Sequence, residues 1–193
     1  MVVVLTAGSS RALAQNRLEA GAHVGVLRLS ELRTTDVGMG ADVRWHVAPA
    51  VAVEGALTWF PGSDSVSAGA AGRQHRALGL AGLRTRVGYN NIDLFARGRA
   101  GFLRFGQEPA TVCILIFPPP LACQLSAGYT AFAADVGGGA SVGLTSSGRL
   151  RASIDAGDLL VRYGLTTLRL NGSTTEGFVS HNLLVRFGVD WRF

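Results

Sequence analysis

Chemistry in this 193-residue chain has few places to sit. The pair Ser180-His181, with Glu176 nearby, offers a nucleophile beside a base. On a strand, however, adjacent residues point to opposite faces, so the two cannot readily share a hydrogen bond. The His-x-Ser-Asn arrangement expected of a lipid A deacylase is also missing. Ser180 and His181 therefore read first as polar residues near a strand end. His46 reads as a hydrogen-bonding residue on a polar strand face, and His23 and His75 as strand-end or loop residues. Cys113 and Cys123 flank Pro118-Pro119-Pro120 and suit a disulfide closing a small loop in an oxidising compartment. With two thiols and no nearby histidine, a zinc site is not expected, and no cofactor is called for. The glycine runs do not follow a strand-to-helix pattern and are not phosphate loops.

The remaining polar residues recur singly at every second position. Asp42, Arg44, His46, Glu54, Arg84, Arg86, Asp93, Arg97, Arg99, Asp135, Arg151, Asp155, Arg186 and Asp190 each fall opposite an apolar strand face. In a narrow barrel such residues fill the interior, and charges there need partners. A lumen ion-pair network is thus expected from Asp42, Arg44, Glu54, Arg84, Arg86, Asp93, Arg97, Arg99, Asp135, Arg151, Asp155 and Arg186. All 18 basic side chains are arginine, whose planar fork holds a carboxylate bidentately. The net charge of +5 does not indicate nucleic-acid binding, because the arginines are dispersed and not gathered on one face.

The elements that must position these residues are strands. Alternation followed by a turn signal repeats about eight times. The first strand begins near Val24 and Val26, and the second runs from Val37 to Ala48, stopped by Pro49. A third carries Val51 to Trp59, the fourth spans Arg76 to Val87, and the fifth Ile92 to Arg104. The sixth runs from Tyr129 to Leu144, the seventh from Arg149 to about Val161, and the last closes the chain. Connections after the second, fourth and sixth strands are short, and those after the third, fifth and seventh are long. In outer-membrane barrels turns are short on the periplasmic side and loops long outside, which predicts periplasmic termini. A mean hydropathy of +0.28 without a long apolar run fits apolar residues dispersed by alternation. Met1–Gln15, with Ala12-Leu13-Ala14, is similar to the end of an export signal. Residues 1–14 read as its remnant and 15–193 as the barrel domain.

In the last thirteen residues, Leu183, Val185, Phe187, Val189, Trp191 and Phe193 share a face opposite Asn182, Arg186, Gly188, Asp190 and Arg192, with Leu184 out of place. The ending Arg186-Phe-Gly-Val-Asp-Trp-Arg-Phe193 resembles the assembly signal of outer-membrane barrels, carried here by Arg186, Gly188, Trp191 and Phe193. A soluble lipocalin-like barrel is the structural rival. The terminal aromatic strand, the Trp and Tyr near strand ends and the loop rhythm favour the membrane form. On these residues the chain resembles, from about Arg17 to Phe193, the small outer-membrane β-barrel family of the OmpA transmembrane domain and OmpX-like proteins. The resemblance implies an all-β, eight-stranded antiparallel up-and-down transmembrane barrel in a Gram-negative outer membrane, inserted by the barrel-assembly machinery. It implies contact with outer-membrane lipid and lipopolysaccharide, a monomer, and no shared catalytic residue; with Phe193 last, no wall-binding domain is expected. Envelope structure or surface interaction through the loops is the expected role. A narrow solute channel and a lipid A-modifying enzyme are the alternatives. The apolar Ile114–Phe117 is expected to fold over the barrel mouth as a cap, the alternative being a contact surface for lipopolysaccharide, a host surface or another protein.

Overall fold

The computed structural model describes residues 18–30, 33–61, 75–89, 91–106, 130–145, 147–163 and 177–193. Residues 1–14, read above as the remnant of an export signal, Cys113 and Cys123, Ile114–Phe117 and Glu176 lie outside them. Eight strands follow in order: β1 (Leu18–Leu29), β2 (Thr34–Ala48), β3 (Val51–Phe60), β4 (Arg76–Tyr89), β5 (Ile92–Phe105), β6 (Thr130–Gly143), β7 (Leu150–Tyr163) and β8 (Phe178–Arg192). Each pairs antiparallel with its sequence neighbour, and β1 pairs with β8, so the sheet closes with no free edge. None of the described residues forms a helix long and apolar enough to cross a membrane.

The registers fix the barrel's shape. Stepping across paired residues from Trp45 leads through Val53, Leu83, Gly98, Val136, Asp158, Leu183 and Arg28 back to β2 at Thr35, a stagger of ten residues. Ten residues at about 3.3 Å set against eight strand spacings of about 4.8 Å tilt the strands by about 40° and give a backbone radius of about 8 Å. Such a barrel has room for side chains and little else. Two chain turns, 49–50 and 90–91, and the 144–149 turn lie at the end that holds Leu18 and Phe193, the terminal end. The strand ends joined by residues 30–33, 61–75, 106–129 and 164–177 lie at the other, the loop end. Arg33 takes a positive φ of 51° where the first turn reverses the chain.

Alternation decides what faces in and out. On β2, Val37, Met39, Val43, Trp45 and Val47 are exposed, whereas Asp36, Asp42 and Arg44 are buried. From Val37 to Val47 the apolar face extends about 25 Å along the axis at this tilt, the height of the apolar band on outer-membrane barrels. Trp45, Tyr89, Trp191 and Phe193 ring its terminal end, and Trp59, Phe102 and Phe132 the loop end. Beyond them, Arg28, Arg104 and Arg162 project outward, each exposed.

Two expectations need correction. β1 starts at Leu18, not near Val24, because Glu19, Gly21 and His23 must pair with β8 to close the ring. The small outward side chains Ala20 and Ala22 had blurred the alternation there. The interior is also not filled by ion pairs alone. Its loop half carries an apolar layer: Leu27, Leu29, Phe60, Leu78, Leu80, Leu103, Phe105, Ala131, Ala133, Leu159, Val161 and Leu184 form one buried cluster, with Tyr163 against it. Leu184, which breaks the β8 pattern, belongs to this layer.

Candidate functional site

The interior has two tiers. Below the apolar layer, all twelve residues expected to line the lumen point into it, Arg86 and Asp93 at the terminal opening being the most accessible. Among the described residues the inward charges are nine arginines (Arg44, Arg76, Arg84, Arg86, Arg97, Arg99, Arg151, Arg186, Arg192) and eight carboxylates (Glu19, Asp36, Asp42, Glu54, Asp93, Asp135, Asp155, Asp190). The near balance lets most charges find a partner without solvent.

Arg44 on β2 is the hub of the terminal half. Its guanidinium lies 2.6 Å from Asp42, 2.9 Å from Asp190, 3.5 Å from Glu19 and 3.7 Å from Glu54, tying β1, β2, β3 and β8 together. Glu19 accepts a hydrogen bond from Arg192 Nε at 2.7 Å and contacts His46 Nε2 at 2.9 Å, so the first and last strands are joined by charge as well as backbone. Ser153 donates to Asp190 at 3.0 Å. At mid-height, Asp135, fully buried, accepts from Arg97 Nε at 2.8 Å and Arg99 Nη2 at 2.7 Å. Asp155 takes the Arg186 fork at 3.0 and 3.1 Å and also pairs with Arg97. Arg151 pairs with Asp93 at 2.8 Å and reaches Ser141. Arg84 lies 3.8 Å from Glu54 and stacks over the Phe95 ring at 3.3 Å, so an aromatic face supplies part of its compensation.

Sequence reasoning missed four lumen residues: Glu19, His23, Asp36 and Arg76. His23, expected at a strand end, instead sits buried at the centre of the wall. Its Nδ1 lies 3.2 Å from an Asp42 carboxylate oxygen and its Nε2 2.8 Å from the Thr58 hydroxyl. The ring fills the space over Gly40, its register partner, where any Cβ would collide with it. Alternation counted back from Gly25 was the available signal. Asp36, expected in the first connection, is a β2 residue paired with Arg76 beneath Phe105.

The other sequence candidates separate by face. Ser180 is buried inward, bonded to Asn182, and His181 is exposed outward, bonded through Nδ1 to Asp158 at 2.6 Å. They do not form a nucleophile–base pair. Of the terminal-strand residues, Arg186 and Gly188 face in, and Trp191 and Phe193 face out at the rim. His75 lies at the loop end, its carbonyl accepting from Gly106 N–H.

Neither a protein-family model nor a curated protein sequence matches the chain. Solved structures do. Neisserial surface protein A is similar over 92% of this chain and 97% of its own, at 13% identity and a TM-score of 0.52. The attachment invasion locus protein Ail of Yersinia pestis, solved with the heparin analogue sucrose octasulfate, matches over 93% and 100% at 13% identity and a TM-score of 0.50. With the closed register, the charged lumen and the exposed apolar band, these matches establish that the chain has the eight-stranded fold of the small outer-membrane β-barrels, as the OmpA- and OmpX-like resemblance implied.

Proposed function

We propose that this chain resides in a Gram-negative outer membrane as a monomeric, solute-tight barrel with both termini periplasmic, serving envelope structure or surface interaction through the connections 61–75, 106–129 and 164–177. The filling of the lumen supports this reading: charges that pair with one another lie beneath a layer of packed leucines and phenylalanines, so water or ions would have to pass buried apolar side chains. The long connections all emerge at one end, where the outward collar of Arg28, Arg104 and Arg162 meets phosphate-bearing headgroups such as those of lipopolysaccharide. Insertion uses the barrel-assembly machinery, directed by the β8 ending with Trp191 and Phe193. The test is conductance in planar bilayers. A solute-tight barrel gives no steady current, and a large steady current would put the channel reading in its place.

A further inference from the structure

The inward charges of the described residues leave one arginine in excess, and the contacts show which one it is. Arg44, Arg97, Arg99, Arg151, Arg186 and Arg192 each have a carboxylate oxygen within 3.0 Å, and Arg76 pairs with Asp36. Arg84, 3.8 Å from Glu54, lies over the Phe95 ring. Arg86 has neither kind of partner. Its Nη1 stands 3.6 Å from Asp93 Oδ2 and 3.9 Å from Glu19 Oε1, beyond good hydrogen-bond distance. Both oxygens are engaged elsewhere: Asp93 Oδ2 with Arg151 at 2.8 Å, and Glu19 Oε1 with Arg192 Nε at 2.7 Å and His46 Nε2 at 2.9 Å.

A solvated arginine at an opening is ordinarily free to swing, but Arg86 is held. Its main-chain N–H donates to the Ala50 carbonyl at 2.8 Å and its Nε to the Pro49 carbonyl at 3.1 Å. The 49–50 turn thus fixes the guanidinium at the terminal opening, where the side chain is 26% exposed and both Nη groups lack a hydrogen-bond partner among the described residues. His46, which touches the same Glu19 oxygen, is only 10% exposed, and its Nδ1 is buried without a partner among those residues.

We propose that the terminal opening is a binding site for a small oxyanion, a phosphate or carboxylate group, held by Arg86 with His46 as a second donor. One bound negative charge completes the count of nine arginines against eight carboxylates. Two oxygens of such a group meet the two Nη groups of one guanidinium in a fork. His46, with Nε2 against Glu19, takes a proton on Nδ1 when an anion settles beside it and so becomes a donor on both edges. Because the turn already holds Arg86 in place, binding costs little ordering of that side chain. Arg151 and Arg192 keep the opening positive, and the apolar wall around it concentrates the field there. That the ligand arrives from the periplasm rests on the membrane reading above; the site itself rests on the closed barrel alone.

The test is titration of the isotope-labelled full chain, refolded in dodecylmaltoside micelles that carry no phosphate, with sodium phosphate, sodium acetate or sodium chloride at matched ionic strength. The Arg86 main-chain and Nε–H resonances are the readout. Phosphate or acetate is expected to shift them saturably and chloride not, and the tighter of the two identifies the group. Arg86→Gln weakens binding at least about tenfold, followed through the Ala52 amide, and Arg86→Lys, which keeps the charge without the fork, weakens it less. His46→Leu weakens it at least about threefold. Arg33→Gln, which removes an exposed charge at the loop end, leaves it unchanged. Heat-modifiable migration shows that each variant is folded. An equal shift with chloride, or binding that survives Arg86→Gln, overturns the site. So does a heat-modifiable wild-type barrel that binds neither phosphate nor acetate, and that result leaves the membrane reading intact. A chain that never forms the heat-modifiable species overturns both.

Discussion

Replacing Asp135 by alanine removes the carboxylate that Arg97 and Arg99 share at the centre of the lumen. Asp135 is fully buried, and the two guanidiniums lie 2.8 and 2.7 Å from its Oδ2. Breaking a buried ion pair from one side costs about 3–5 kcal/mol, because the partner's charge stays in place without compensation. Here the low end applies: Arg97 keeps Asp155, and Arg99 keeps Glu54 at 3.5 Å. The expected loss is therefore about 3 kcal/mol, measured as the shift in urea unfolding of the barrel refolded in lipid vesicles and followed by tryptophan fluorescence. Val136→Ala, one residue along but facing outward, exchanges a protein–lipid contact for another and costs under about 1 kcal/mol. Combining Asp135→Ala with Arg99→Met removes the stranded charge and recovers at least about 1 kcal/mol relative to Asp135→Ala alone. Equal unfolding of Asp135→Ala and Val136→Ala, or a double variant less stable than the sum of its parts, would refute charge pairing as what holds the lumen.

Leu184→Ala, in the apolar layer, is expected to cost about 2–5 kcal/mol in the same assay, and its outward neighbour Leu183→Ala far less, since lipid fills the space left; equal losses would mean that the layer is not packed. After export, the chain is expected in the outer-membrane fraction with heat-modifiable gel migration; recovery from the soluble periplasm counts against the location. Phe193→Ser should reduce membrane-inserted yield more than Tyr89→Ser, although both aromatics are exposed at the same rim; matching yields would detach the β8 ending from assembly.

What was legible in the sequence follows from period two. Wherever a strand sets large apolar residues against charges, as Val37 to Val47 does against Asp42 and Arg44, alternation alone assigns both faces, and the barrel follows from eight such repeats. Legibility fails where the contrast between faces vanishes. In β1 the outward residues Ala20 and Ala22 are nearly as small as the inward Gly21, so neither the strand start nor His23 stood out. At the loop end both faces are apolar, as in Leu159-Leu160, Leu183-Leu184 and Trp59-Phe60, and Leu184 stood out only as a break in the pattern. Such doublets recur on several strands at the same height and are the written signature of the inner layer. The contact between Asp158 and His181 could not be read from sequence, because only the register of β7 against β8 brings the two side chains together.

The seam between β1 and β8 has an engineering consequence. Phe193 N–H donates to the Leu18 carbonyl at 3.0 Å, so the two ends of the described barrel touch and the ring has no topological start. A circular permutant that joins Phe193 to Leu18 through an added turn of at least about two residues, and reopens the chain at the 49–50 turn, keeps every strand pair. It also moves Trp191 and Phe193 from the end of β8 into the middle of a continuous β8–β1 hairpin. The native ring should then survive in refolding from urea while delivery to the membrane in cells fails, separating what makes this barrel stable from what makes it recognisable to the machinery that inserts it.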